Sequence, residues 1–296
     1  MTTHVVLQHW TCYRYDRAVR LGPHDVRLRP APLCRTPVLS YALSVHPSAH
    51  TLRWMHDAAD NHVARVWFQD PAERLEIAVE LTADLVPFSP FDFLVEPYAE
   101  RYPFAYPAPV ARELAPFTPP AENGTLLVRF AEEMRHDARA DGGSTVELLV
   151  RANQRLRRDI AYVHRAEHGV QPCEETLRER QGSCRDVAWL LVQVLRHLGF
   201  AARFVSGYLI QLANANPDSP RTDQADLHAW CEVFVPGAGW LGFDPTSGLL
   251  ASEGHIPLAR SSSYELAAAI SGSVEPCTVE LEVSMLVRRP DRNAAG

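Results

Sequence analysis

The sequence of 296 residues predicts an α+β protein: an N-terminal antiparallel β-sandwich or barrel, then helices packed on a second antiparallel sheet. Three observations carry this. Residues 4–85 alternate apolar and polar side chains with period two and show no helical period. Residues 87–120 hold nine of the 23 prolines, which fix the backbone and remove amide donors. Helical spacing then governs 125–200, and period two returns from 202. The chain accordingly divides into a β-domain at 1–86, a connector at 87–120 and a second domain at 121–296.

In the first domain Val5, Leu7, His9, Thr11, Tyr13 and Tyr15 fall on one face of a strand. Further strands are expected at 26–28, 38–45, 51–55, 63–68 and 75–85, with Asp60-Asn61 as a turn. Short strands without intervening helices make a sandwich or barrel. Besides this structural role, the domain is a candidate substrate gate or partner surface. The connector is expected to be extended and non-helical. Phe88, Phe91, Phe93, Tyr98, Tyr102, Phe104 and Tyr106 punctuate it, and so many rings imply packing across the domain junction.

The second domain opens with a helix at 125–139 and another at 144–160. Ser144 is the N-cap of the latter and Glu147 its capping-box partner. Its apolar face carries Val146, Leu149, Ala152, Leu156 and Ile160. A short helix at 174–180 leads into the stretch that organises the chain. There Val187, Leu191, Val194, Leu195 and Leu198 recur at helical spacing, Ser183 is the N-cap and Gly199 the stop. Asp186, three residues after Ser183, completes an imperfect capping box. Cys184 therefore sits in the first helical turn, where free amides and the helix dipole favour a thiolate. Strands are expected at 202–212, 228–235, 240–243 and 279–287. Residues 236–239 (Pro-Gly-Ala-Gly) form a hairpin loop, and 214–226 a polar surface loop near the site.

Composition narrows the function. The net charge is −7 and no basic block occurs, which argues against nucleic acid as a partner. No apolar run approaches membrane-span length and the start lacks a signal-peptide pattern, so the expectation is a cytoplasmic protein without a membrane partner. Cys12, Cys34, Cys173, Cys184, Cys231 and Cys277 are dispersed and contain no C-x-x-C pair, which suggests neither a disulfide framework nor a Cys-rich zinc site. No cofactor or metal is expected. His164-Arg-Ala-Glu167-His168 matches the H-x-x-E-H zinc pattern, but its loop-like flanks make it a minor alternative. A catalytically inactive binding module is another. The oligomeric state is not legible.

A catalytic thiol needs a base within hydrogen-bond reach, and the base needs an orienting acceptor. His228 opens one strand and Asp244 ends the next, and the hairpin between them returns Asp244 to within a rung or two of His228. Trp230 and Trp240 are expected to wall the cleft or fill the core, and Tyr162 is a candidate oxyanion donor. Cys231, three residues beyond His228, is expected on the opposite face, buried and inert.

These residues carry a resemblance. Gly182-Ser-Cys184-Arg-Asp186, His228-Ala-Trp230 and Trp240-Leu-Gly-Phe-Asp244-Pro-Thr resemble, in order, the three-part signature of the transglutaminase-like cysteine enzymes. His9-x-Thr11-x-Tyr13-x-Tyr15, Val26-Arg-Leu-Arg-Pro30 and Asp60-Asn61 are similar to the β-domain that precedes bacterial members. The resemblance implies a papain-like core, with Cys184 as nucleophile, His228 as base and acid, and Asp244 as orienter. It implies attack on a peptide, protein or small amide substrate through a thioacyl intermediate, ending in hydrolysis or in transfer to an amine. Hydrolysis is the expectation, since no amine-donor pocket is legible. Two places depart from the usual pattern: Trp189 replaces a smaller or imidazole side chain, and Ala259-Arg-Ser-Ser-Ser-Tyr264 lacks the acidic residue of Gly-Arg-Asp-Tyr.

Overall fold

The computed structural model describes residues 2–32, 34–140, 143–165, 167, 169–213 and 222–290. The N-terminal half supplies β1 (Thr3–Val19), β2 (Leu21–Val26), β3 (Val38–His46), β4 (His50–His56), β5 (His62–Phe68) and β6 (Ala72–Leu85). The alternation along β1 and β6 buries Val5, Leu7, His9 and Thr11 on one strand and Leu75, Ile77, Val79, Leu81 and Ala83 on the other. The connector contributes α1 (Ala108–Glu113), and the second half opens with α2 (Thr125–Ala140), α3 (Thr145–Asp159), β7 (Ala161–Tyr162), α4 (Cys173–Glu179), β8 (Gln181–Gly182) and α5 (Cys184–His197). It continues with β9 (Ala202–Gln211), β10 (Gln224–Val235), β11 (Gly239–Asp244), β12 (Leu249–Leu250) and β13 (His255–Ser261), and the chain closes with β14 (Ile270–Val274) and β15 (Val279–Arg288).

Two four-stranded antiparallel sheets, β15-β1-β6-β3 and β14-β2-β5-β4, share one apolar core. A five-stranded sheet, β12-β11-β10-β9-β13, carries α5 on one face. Helix α5 is buried from Asp186 through Arg196, between the sheet and helices α2, α3 and α4. Leu190 and Leu191 are fully enclosed, and truncating either to Ala costs roughly 2–5 kcal/mol. The first core does not stop at the first domain: Tyr208, Ile210, Ala225, Ile256 and Leu258 of the five-stranded sheet belong to it.

Five sequence expectations are corrected. The final strand does not join the second domain. β15 pairs with β1 along Val6–Tyr15 and β14 pairs with β2, so residues 270–288 complete the N-terminal sheets and the second domain does not extend to 296. Strand β2 lies earlier than 26–28 because Pro23 is accommodated where the β14–β2 register shifts, and a bulge tolerates the missing donor. Strand β13 contains Pro257, which conceals it in the sequence, and again the ladder shifts register beside the proline. The connector is not wholly non-helical: α1 accepts Pro109 in its first turn, where no amide partner is needed. Its rings pack on the second domain. Tyr102 stacks on Phe200 and donates to Leu198 O at 2.9 Å, and Tyr106 donates to Phe234 O at 2.8 Å. Phe91 and Tyr98 stay exposed. Of the expected 214–226 loop, residues 214–221 lie outside the described residues, and Gln224 to Asp226 already belong to β10, so His228 lies within that strand rather than opening it.

One side chain of the first domain binds the β13 backbone as both donor and acceptor. Asn61, 1% exposed, donates from Nδ2 to Arg260 O at 2.9 Å and accepts from Arg260 N at 2.8 Å. It also donates to the Asp57 carboxylate, which is held below the ordinary range: burial opposes this, but bonds from Asn61, Ala59 and Arg27 outweigh it. Asn61→Ala leaves both Arg260 backbone groups without partners and should destabilise the fold by about 2–4 kcal/mol. Urea unfolding measures this, and an unchanged midpoint would contradict the clamp.

Candidate active site

Three elements converge on Cys184. The sulfur belongs to the first residue of α5, where the helix leaves amide N–H groups unpaired. Asp186 fixes this turn. Its Oδ2 accepts from Ser183 N and Ser183 Oγ, each at 2.8 Å, and its Oδ1 accepts from Gln171 N at 2.7 Å. Arg165 forks onto the same carboxylate at 2.8 and 2.9 Å. Burial alone would raise the proton affinity of Asp186, but these donors prevail and hold it below the ordinary carboxylate range. Asp186 and Ser183 thus shape the helix start rather than face the sulfur.

The β10–β11 hairpin supplies the next two groups. Cys231 pairs with Phe243 and Val235 with Gly239, and the glycines at 237 and 239 take the positive φ values (89° and 76°) that the tight connection needs. This register carries Asp244 back to His228, whose Nε2 lies 3.2 Å from Asp244 Oδ2. Cys184 acts on the same imidazole. Burial works against the imidazolium, but the bonds to Asp244 and Cys184, and their charges, raise its pKa to about 10. Asp244 is 1% exposed and carries four donors. Thr246 N and Oγ reach Oδ1 at 2.9 and 2.7 Å, and His255 Nε2 joins His228 at Oδ2, 3.4 Å away. Burial opposes its charge, but the bonds from His228 and His255 keep it ionised well below the usual range.

Trp230, 1% exposed, stacks on His228 (26° between planes) and meets His255 edge-on at 5.2 Å. Its ring fills the space that any side chain at Gly207 would need. Trp240 is not brought to this cluster; it sits beneath Arg203, 4.0 Å from the guanidinium, and against Phe117 and Phe234. Tyr162, 55% exposed, pairs across β7 and β8 with Gly182, two residues before Cys184; burial, then Cys184 and Asp226, raise its pKa. Cys231 is fully buried in the core, where desolvation pushes its thiol pKa up. All six cysteines are free.

The two departures meet in space. Trp189 donates from Nε1 to Glu122 Oε1 at 2.7 Å and packs edge-on to Tyr264 at 5.1 Å. In the segment before Tyr264, Ser263 N donates to Ser261 Oγ and Ser262 O accepts from Arg196. These backbone bonds serve where an acidic side chain is absent. In the H-x-x-E-H stretch, His164 is not helical and His168 lies outside the described residues.

Sequence reasoning missed His255. Among the described residues it forms, with His228 and Asp244, the one cluster whose donor atoms all lie within 4.8 Å. The donor set does not suit a divalent ion as it stands. Ser252 N donates to His255 Nδ1 at 3.1 Å, so the neutral ring carries its hydrogen on Nε2, the atom a metal would need.

Residues 129–245 match the transglutaminase-like superfamily, and residues 5–84 match the bacterial transglutaminase-like N-terminal region. Residues 129–245 are thus a transglutaminase-like domain, preceded at 5–84 by the N-terminal region known from bacterial transglutaminase-like proteins. An uncharacterized protein of Mycobacterium tuberculosis is 26% identical over 261 residues, covering 86% of this chain and 82% of that protein. A protein-glutamine gamma-glutamyltransferase of Pseudomonas aeruginosa is 40% identical over 67 residues, 23% of this chain and 10% of its own length. A crystal structure from Cytophaga hutchinsonii, provisionally assigned as a cysteine protease, shares the fold with a TM-score of 0.67. It is 17% identical over 96% of this chain and 91% of that one. Among the described residues no helix is long and apolar enough to cross a membrane.

A histidine that holds its proton more tightly when folded stabilises the fold fully below its unfolded pKa, about 6.5. That contribution fades as pH rises through about 10 for His228. The stability difference between wild type and His228→Gln should therefore be largest at pH 6 and shrink towards pH 10. Urea unfolding across that range measures it, and a pH-independent difference would contradict the assignment.

Proposed function

We propose that this protein is a thiol-dependent enzyme that attacks an amide, peptide or isopeptide-like, through a thioacyl intermediate and hydrolyses it. One observation carries the reading: the imidazole of His228 lies 3.2 Å from the buried Asp244 and interacts with Cys184 at a helix start. The Cys184 thiolate attacks the carbonyl carbon. The developing oxyanion takes hydrogen bonds from the Cys184 backbone N–H, with the neighbouring Tyr162 hydroxyl as second donor. The C–N bond then breaks, and the His228 imidazolium gives its proton to the departing amine nitrogen. Water, deprotonated by His228, attacks the thioacyl carbon and releases the acid and the thiolate. Asp244 keeps the imidazole oriented throughout.

Hydrolysis is favoured over transfer because Tyr162, paired with Gly182 two residues before Cys184, is 55% exposed, and transfer to an amine requires that water be kept out. The stretch 40% identical to a protein-glutamine gamma-glutamyltransferase supports acyl transfer as a second reading. The remaining expectations stand as part of this proposal: a cytoplasmic protein acting on peptide, protein or small amide substrates without a cofactor.

A library of short peptide amides, incubated with and without a primary amine such as cadaverine, tests both readings. Ammonia or peptide-amine release without amine incorporation is expected from wild type. Cys184→Ala should lose turnover while keeping its unfolding midpoint, because Ala is well tolerated in a helix. Turnover retained by Cys184→Ala would sink the thiol mechanism, and predominant cadaverine incorporation would replace hydrolysis with transfer.

A further inference from the structure

His255 meets the His228 ring edge-on, with centroids 6.0 Å apart; its side chain is only 8% exposed and both ring nitrogens are engaged. A backbone amide can only donate, so Ser252 N–H fixes the lone pair at His255 Nδ1 and the hydrogen at Nε2. That hydrogen points to Asp244 Oδ2, the oxygen that His228 Nε2 approaches to 3.2 Å. The other oxygen, Oδ1, is already filled by Thr246 N and Oγ. A carboxylate oxygen that accepts a second hydrogen bond is a weaker base toward the first donor.

Building on the reading of Cys184 as nucleophile, we propose that His255 is a positioning residue. By sharing Asp244 Oδ2 it pins the carboxylate and weakens it as a base toward His228 Nε2, which makes the imidazolium a better acid at its other ring nitrogen, the one that gives its proton to the leaving amine. A general acid works best with a pKa near the working pH, so weakening the carboxylate that holds the imidazolium favours the transfer. No new bond is made to His255; the proton moves from His228 to the amine nitrogen as the C–N bond breaks. The charged and titratable groups around this pair are His228, Cys184 and Tyr162 on the thiol side. On the other side of His255, a hollow is lined by Glu232, Arg203, Arg260 and Arg35.

Thiol alkylation and amide turnover separate this role from a structural one. Alkylation of Cys184 by iodoacetamide needs the thiolate but no proton donation to an amine, whereas amide cleavage needs both. His255→Asn keeps an acceptor for Ser252 N–H but cannot reach Asp244; His255→Gln can place an N–H near the former Nε2. In the same peptide-amide assay, His255→Asn should lose about tenfold or more in kcat, the worth of a hydrogen bond to a charged group. KM should change little. Its rate of Cys184 alkylation at pH 6 should stay within about threefold of wild type, and His255→Gln should recover most of the turnover. Unchanged turnover in His255→Asn would overturn the proposal. So would a parallel collapse of alkylation and turnover that Gln does not relieve, because that is a structural defect. If wild-type Cys184 is not alkylated ahead of the other cysteines, the thiol reading itself fails.

Discussion

The Asp244 carboxylate is the constraint on which the site depends. It is 1% exposed and ionised, and a buried charge of that kind survives only when its lone pairs are met. Thr246 meets one oxygen; His228 and His255 meet the other. Each donor comes from a different strand or turn, so the carboxylate ties β10, β11 and β13 together at one point. The imidazole that reaches Cys184 is held by the same charge. Replacing Asp244 would therefore disturb three elements at once.

The N-terminal sandwich is joined to this arrangement rather than merely appended. Its apolar core runs into β9, β10 and β13, and its last two strands come from the far end of the chain. Asn61 clamps the backbone of Arg260 on β13, five residues beyond His255. The strand that carries the second histidine is thus also held by the sandwich.

Much of this was legible in the sequence. Period two located most strands, and helical spacing located α5 with Cys184 at its start. The hairpin loop with its two glycines fixed the meeting of His228 and Asp244. What escaped notice has physical reasons. Prolines 23 and 257 lie at register shifts, where a ladder tolerates a missing donor, so two strands looked like loops or began elsewhere. His255 was hidden with one of them. The return of β14 and β15 to the N-terminal sheets is a long-range pairing that no local pattern encodes. Trp240, chosen for its motif, points to Arg203 because alternation places a residue on a face but does not say which neighbour fills it.

The most direct measurement is mass mapping of the enzyme quenched in acid while it turns over a peptide amide. The account predicts an acyl adduct on the peptide containing Cys184, present in wild type and absent from Cys184→Ala. Turnover without any adduct on Cys184, or an adduct on another cysteine, would contradict it.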